Sequence, residues 1–282
     1  MSEISRAQPW LGTFVEIYIN ADTAQDEIAS ISQAGFDKIA HIHKLMSYHE
    51  SDSELSKINQ NAASTKVQIS PHMQRVMTLA LDLSKRSDGR FDVSIAPELI
   101  QKGYLPNTIA RPENPGDWRD IELFPNEIRF NKPLLLDLGG IAKGYAVDLA
   151  FDCMHEMIPD AHQISVNAGG DLRVLRWEGE QAQIKYLDIM SRSRYTPTPM
   201  LAPAMASSGL YPRGGDNHLV FLSTDKRKRP RRNVITVFAS SSMMADALTK
   251  VAYLADDYLD LVREFGGIAL ATNWTGRAKV MS

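Results

Sequence analysis

The chain has 282 residues, with 31 Lys and Arg against 34 Asp and Glu and a formal net charge of −3. That length supports one large or two small domains around a proper hydrophobic core, and a content of 44% hydrophobic and 23% charged residues excludes bulk disorder. The near-neutral balance argues against a dedicated nucleic-acid binder, and the single Cys153 excludes an intrachain disulfide or a cysteine-built zinc or iron–sulfur site within one chain.

Elements follow from periodicity and punctuation. Alternating apolar and polar residues predict a strand over Thr13–Ile19. Ile28, Ile31, Ile39, Ile42 and Met46 recur on one helical face and predict a long amphipathic helix over 24–46. Ser51 and Glu54 have capping-box spacing, which predicts a short helix over 52–60, followed by a short strand over Lys66–Ser70. Ser70 as cap and Pro71 at the first helical position open another helix, ending near Asp88-Gly89. Residues 103–116 read as an irregular loop, and Ile121–Phe124 with Ile128–Phe130 as a hairpin. Leu134–Leu138 reads as a strand running into Gly139-Gly140, with a helix behind it to about Met157. Strands are expected over Ile164–Asn167, Leu172–Trp177, Ile184–Met190, Leu219–Ser223 and Val234–Ala239. A helix from about Ser242 to Tyr253 continues or restarts through Phe265, before a last strand over Ile268–Trp274. Helices and strands mix without regular βαβ alternation, so the expected class is α+β.

Several stretches carry chemistry. In LDLGGIAKGYAVD (136–148) a strand feeds a glycine pair and then a helix start, where backbone amides and the helix N-terminus can face an anion. Asp137 there can accept from a ligand hydroxyl or help hold a cation; the alternative is a tight connection with Lys143 in solvent. Asn167-Ala168-Gly169-Gly170-Asp171 reads as a strand-end loop and lacks the Rossmann spacing. Asp246 lies in the apolar segment 241–250 and requires a partner. With Thr249 on the same helical face, it suits a magnesium site, and equally a carboxylate placed at a helix start by the dipole. Tyr48 can stack on a planar ligand or simply pack. The basic run Lys226–Arg232 sits between two expected strands without aromatic residues, which favours a solvated loop over a nucleic-acid surface. There is no G-x-S-x-G elbow, HExxH or Walker A loop.

Taken in order, LGT (11–13), MSYHESDSELSKIN (46–59), DGRFDVSIAP (88–97), LDLGGIAKGYAVD, NAGGD (167–171), SSGLY (207–211) and ADAL (245–248) resemble the ApbE family of FAD:protein FMN transferases. The resemblance implies an α+β fold with mixed or antiparallel sheets flanked by helices, as one domain over 1–282 or two intertwined subdomains. It also implies FAD as substrate and Mg2+ as cofactor. FMN would be attached to a Thr or Ser of a target flavoprotein, and AMP released. Carried over by position, Leu11, Tyr48, Arg90, Phe91, Asp92, Asp137, Lys143, Gly169, Gly170 and Asp171 would contact or shape the FAD site. Gly140, Asp246 and Thr249 would hold the metal, and His218 and Asp246 would serve catalysis. Three features depart from the family pattern. Lys250 stands four residues after Asp246, where the family places a Thr, and His218 stands in a shifted register without the DPRTG-like turn. The segment MSEISRAQPWLGTFVEIYIN shows no export signal, unlike many family members, so the cytoplasm is the expected compartment. No apolar run approaches the ~18–20 residues of a membrane span, and neither nucleic acid nor membrane is an expected partner. The alternatives are an FAD hydrolase giving FMN and AMP, and a non-catalytic FAD-binding protein.

Overall fold

The computed structural model describes residues 1–176, 183–187, 195–209, 234–254, 259–272 and 278–280. The first twenty residues form a hairpin of β1 (Ser2–Trp10) and β2 (Thr13–Ala21), paired from Ser2 opposite Ala21 to Trp10 opposite Thr13. Leu11 and Gly12 turn it with φ of 56° and 73°, the left-handed pair that a tight two-residue hairpin turn requires. Strand β2 has the expected alternation, with Val15, Ile17 and Ile19 fully buried. Strand β1 is not legible as an apolar alternation. Its more buried side is Ser2, Ile4, Arg6, Gln8 and Trp10, and Arg6 is satisfied by Ser32 Oγ at 2.8 Å and Gln33 Oε1 at 2.9 Å on the following helix.

That helix, α1 (Gln25–Met46), buries the predicted Ile28, Ile31, Ile39, Ile42 and Met46. Helix α2 (Glu54–Asn61) is capped by Ser53, whose Oγ accepts from Ser56 N at 3.0 Å, and not by Ser51. Glu54 is drawn away to Ser70, accepting from its backbone N at 2.5 Å and from its Oγ at 2.7 Å. Ser70 caps α3 (Pro71–Arg86) as expected, accepting from Met73 N at 3.1 Å. A small antiparallel sheet joins β3 (Val67–Gln68) to the hairpin β4 (Ile121–Phe124) and β5 (Glu127–Phe130). Helix α4 (Ala96–Gln101), too short to show a period, lies between α3 and that hairpin in sequence.

The expected strand at Leu134–Leu138 belongs to no sheet ladder. Its backbone is satisfied locally. Leu136 N donates to Asn59 Oδ1 at 2.7 Å, Asn59 Nδ2 donates to Leu136 O at 2.9 Å, and Asp137 N donates to Val93 O at 2.8 Å. One buried amide side chain thus replaces a neighbouring strand. The segment leads into α5 (Ala142–Met157) and then β6 (Gln163–Ala168) and β7 (Asp171–Val174).

The later strands are β8 (Gln183–Leu187) and β9 (Tyr195–Pro199), a separate hairpin, then β10 (Ala204–Gly209) and β11 (Val234–Ala239). Helices α6 (Ser242–Leu254) and α7 (Leu259–Glu264) precede β12 (Ile268–Thr272) and β13 (Ala278–Val280). The strand expected at Leu219–Ser223 lies outside the described residues. The main sheet has the order β1-β2-β6-β7-β10-β11-β12-β13, with every pair antiparallel. Helices α1, α5 and α6 pack against it, with α5 touching both α1 and α6. A second apolar cluster of Val174, Met200, Met205, Phe238 and Leu270 is separate from the main core, and β11 is buried along its whole length.

Helix α5 is buried on several sides because it touches both α1 and α6. Gly144 permits the second contact: a Cβ there would meet Ser242 O at 2.2 Å. From the same helix Asp148 accepts from Ser242 N and Met243 N, both at 2.8 Å, and so caps α6 from outside. This packing sets the start of α5, the first turns of α6, the β6–β7 turn and the end of β10 around one cleft.

Candidate active site

Helix α6 places Asp246 on its inner face, fully buried. A carboxylate there is tenable only with partners. Its Oδ1 is paired with the ammonium of Lys250 one turn on, and its Oδ2 accepts from Gly144 N at 3.2 Å and lies 3.6 Å from Lys143 Nζ. Lys143, in the first turn of α5, is paired in turn with Asp171 at the start of β7. The four residues form a chain with alternating charge, Lys250–Asp246–Lys143–Asp171, its carboxylates buried and its ammoniums partly exposed. Burial pushes the Asp246 carboxyl up, but the charges of Lys143 and Lys250 outweigh it and hold it at about 2. Burial and the negative charge of Asp246 raise Asp171 to about 6 against the pull of Lys143. Burial lowers the Lys143 ammonium, yet Asp171 and Asp246 together raise it above the ordinary lysine value.

These groups stand at one end of a two-lobed cleft. The charged lobe, about 320 Å3, is lined by Arg90, Phe91, Asp92, Asp137, Gly139, Gly140, Lys143, Gly169, Asp171, Lys250 and Ser207–Gly209, among others. The more apolar lobe, about 300 Å3, carries Leu11, Met46, Tyr48, Leu99, Tyr104 and Leu105 and shares Leu99, Asp137, Gly139 and Lys143 with the first. The expected positions Leu11, Tyr48, Arg90, Phe91, Asp92, Asp137, Lys143, Gly169 and Asp171 therefore converge, although they come from five separate stretches of chain. Gly170 completes the β6–β7 turn at φ 109° without lining the lobe. Gly169, at φ 61°, is also held against the first hairpin, since a Cβ there would meet Thr13 Oγ1 at 2.6 Å.

Some expectations change. The glycine turn does not offer a row of free amides. Gly139 N donates to Asp137 Oδ2 at 3.1 Å, and Ile141 N and Ala142 N donate to Leu138 O at 3.0 and 2.9 Å. Positive charge in the cleft comes from side chains. Thr249 is fully buried behind the cleft, where its hydroxyl donates to Asp246 O at 2.7 Å and bonds Ser208 Oγ at 2.8 Å. His218 lies outside the described residues, as do Lys226–Arg232. Sequence reasoning gave no role to Ser207, Ser208 and Gly209, which enter the cleft from β10; the SSGLY motif was their only signal.

The donor set does not fit the expected magnesium ion. Mg2+ requires near-octahedral oxygen ligands at about 2.0–2.1 Å. Here the Oδ1 of Asp246 meets one ammonium, Oδ2 faces another, and the Thr249 hydroxyl is turned to a backbone carbonyl. The Lys250 side chain also lies beside Gly140, with Cε 3.5 Å from where a Cβ would stand. Among the described residues no three His, Cys, Asp or Glu side chains converge as a metal cluster.

The ApbE family model matches residues 11–271 of the chain. The chain belongs to the ApbE family. Within it, the FAD:protein FMN transferase of Haemophilus influenzae is 28% identical over 265 residues, covering 81% of this chain and 74% of that protein. The enzyme of the same name from Vibrio cholerae is 25% identical over 272 residues, covering 87% and 79%. The crystal structure of the ApbE protein from Thermotoga maritima superposes with a TM-score of 0.81 at 21% identity, covering 99% of this chain and 97% of that one. The flavin transferase ApbE from Vibrio cholerae gives 0.80 at 22% identity, with the same coverage. The α+β expectation and the ApbE fold are both borne out. No described helix of this ApbE-family chain is long and apolar enough to cross a membrane.

Proposed function

We propose that this ApbE-family chain is an FAD:protein FMN transferase acting on a Thr or Ser of a target flavoprotein. The observation that carries the reading is the Lys250–Asp246–Lys143–Asp171 chain at the charged end of a cleft whose other end is apolar. FAD has the same division, with an aromatic flavin joined to a doubly negative pyrophosphate. The apolar lobe at Leu11, Tyr48 and Leu105 suits the flavin ring, and Asp137 between the lobes suits a hydroxyl of the linking chain. Lys143 and Lys250 suit the pyrophosphate. Asp171 and Asp246 hold the two ammoniums in place and so position the phosphates.

Phosphoryl transfer depends chiefly on positioning and charge neutralisation. The target hydroxyl oxygen forms a bond to the FMN-side phosphorus while the bridging P–O bond breaks. AMP leaves with the bonding electron pair, and the hydroxyl proton passes to a general base. The names of the relatives support this direction of reaction, as does the match along most of the chain.

Incubation with FAD and a target flavoprotein, run with and without added Mg2+, should release AMP and add one FMN mass to a Thr or Ser of the target, read by mass spectrometry. AMP without a labelled target would make the chain a hydrolase, and the absence of both products would refute an enzyme acting on FAD. Asp246→Ala should lower AMP release by about 100-fold or more, because it frees both ammoniums from their positions.

A further inference from the structure

Resting on the transferase reading, we propose that Lys250 is the built-in cation of this site and that its ammonium takes the place of a divalent metal, so that FAD is bound and cleaved without one. The sequence expectation put a cation between Asp246 and Gly140. The structure puts the end of the Lys250 side chain there. Its ammonium pairs with Asp246 Oδ1 and donates to Asp246 O at 2.9 Å, and its Cε passes beside Gly140. The side chain is 18% exposed, so the ammonium is anchored in the wall yet faces the cleft.

Counting donors shows what it can do. A lysine ammonium has three N–H groups. Asp246 accepts two from Lys250, which leaves one for a ligand oxygen. Lys143 spends one on Asp171 and keeps N–H groups for the same purpose. Two ammoniums on opposite sides of Asp246 can therefore each meet one phosphoryl group of a pyrophosphate. A divalent ion at the same place would have to displace Lys250 from Asp246 or sit against its positive charge, and Coulomb repulsion at such range opposes it. With Lys250 present, the two lysines already balance Asp171 and Asp246. Removing its charge leaves Asp246 facing Gly140 with one fewer cation, which is the condition a metal can satisfy.

Two measurements test this. Mn2+ alone, titrated into the wild type and into Lys250→Thr and followed by electron paramagnetic resonance, should bind one ion per chain in the variant and none in the wild type. AMP release from FAD with a target flavoprotein should be unchanged by EDTA in the wild type. In Lys250→Thr it should fall by about 100-fold in EDTA and recover with Mg2+. A wild type that binds one Mn2+ per chain as tightly as the variant overturns the proposal, as does a wild type whose AMP release is lost in EDTA and restored by Mg2+. If neither protein releases AMP under any condition, the transferase reading falls, while the Mn2+ titration still decides the place of Lys250. If Lys250→Thr fails to fold, judged by its circular dichroism melt, the wild-type arms alone decide.

Discussion

Asp92 lies in the cleft wall, 5% exposed, with one carboxyl oxygen accepting from Ser94 N at 2.8 Å and Ser94 Oγ at 2.6 Å. Its other oxygen, Oδ2, is buried without a partner. Burial is the main cause that pushes this carboxyl up to about 6. A carboxyl raised in the folded state favours folding in its protonated form, so its ionisation costs stability as pH rises from about 4 to 6. The loss is on the order of 2–3 kcal/mol. Asp92→Asn should flatten the dependence of Tm on pH across that window, and a variant with the wild-type slope would refute the assignment. At this scale the sequence was informative about residue type. Asp137, Lys143, Asp171 and Asp246 are named by their motifs, and Lys250 by standing where the family places a Thr. Which oxygen meets which ammonium is a matter of side-chain placement, as are the Thr249 hydroxyl's bonds to Asp246 O and Ser208 Oγ and the place of the Lys250 side chain beside Gly140.

Helices α5 and α6 are locked by two short-range features. Gly144 lets their backbones meet, and Asp148 accepts from two first-turn amides of α6 while Arg173 holds it at 3.0 Å. Gly144→Ala would force the helices apart at a backbone contact and should cost roughly 1–3 kcal/mol or more, read as a lower urea midpoint with an unchanged m-value. Asp148→Ala would leave the two α6 amides without their acceptor and Arg173 with Asp152 alone, at roughly 1–3 kcal/mol for each amide by the same measurement. Both positions lie in a helix that the sequence announces, but nothing in the local pattern names the distant partner. The segment Leu134–Leu138 makes the same point. Its apolar run looks like a strand, yet its hydrogen bonds go to Asn59, far away in sequence. Asn59→Leu should strip the Leu136 backbone of both partners, costing roughly 1–3 kcal/mol each. It should raise the KM for FAD more than it lowers kcat, since Asp137 and Gly139 hang on that segment.

Across the whole molecule, an eight-stranded antiparallel sheet brings chain ends and middle together: β2, already paired with β1, pairs with β6, and β7 with β10. The cleft draws on the first hairpin, the α1–α2 connection, the loop after α3, the α5 start, the β6–β7 turn, β10 and α6. The net charge of −3 is small, and the cleft lysines Lys143 and Lys250 are matched by buried carboxylates. Long-range attraction of a dianion is accordingly weak. On the proposed function, the FAD association rate, followed by flavin fluorescence in stopped flow, should change little with added salt; a steep decline would reveal a steering field.

The sequence alone determined the α+β class, the helices α1, α3, α5 and α6, the central strands β2, β6 and β11, and the set of stretches that meet at the cleft. These depend on local periodicity, caps and motif order, all written within a few turns of chain. Tertiary structure decided the pairing of β1, whose polar inner side is satisfied by α1, and the replacement of a strand at Leu134–Leu138 by Asn59. It also decided the state of Asp246. A carboxylate in an apolar helix announces that it needs a positive partner, but only the folded geometry shows that Lys250 and Lys143 have already met that need.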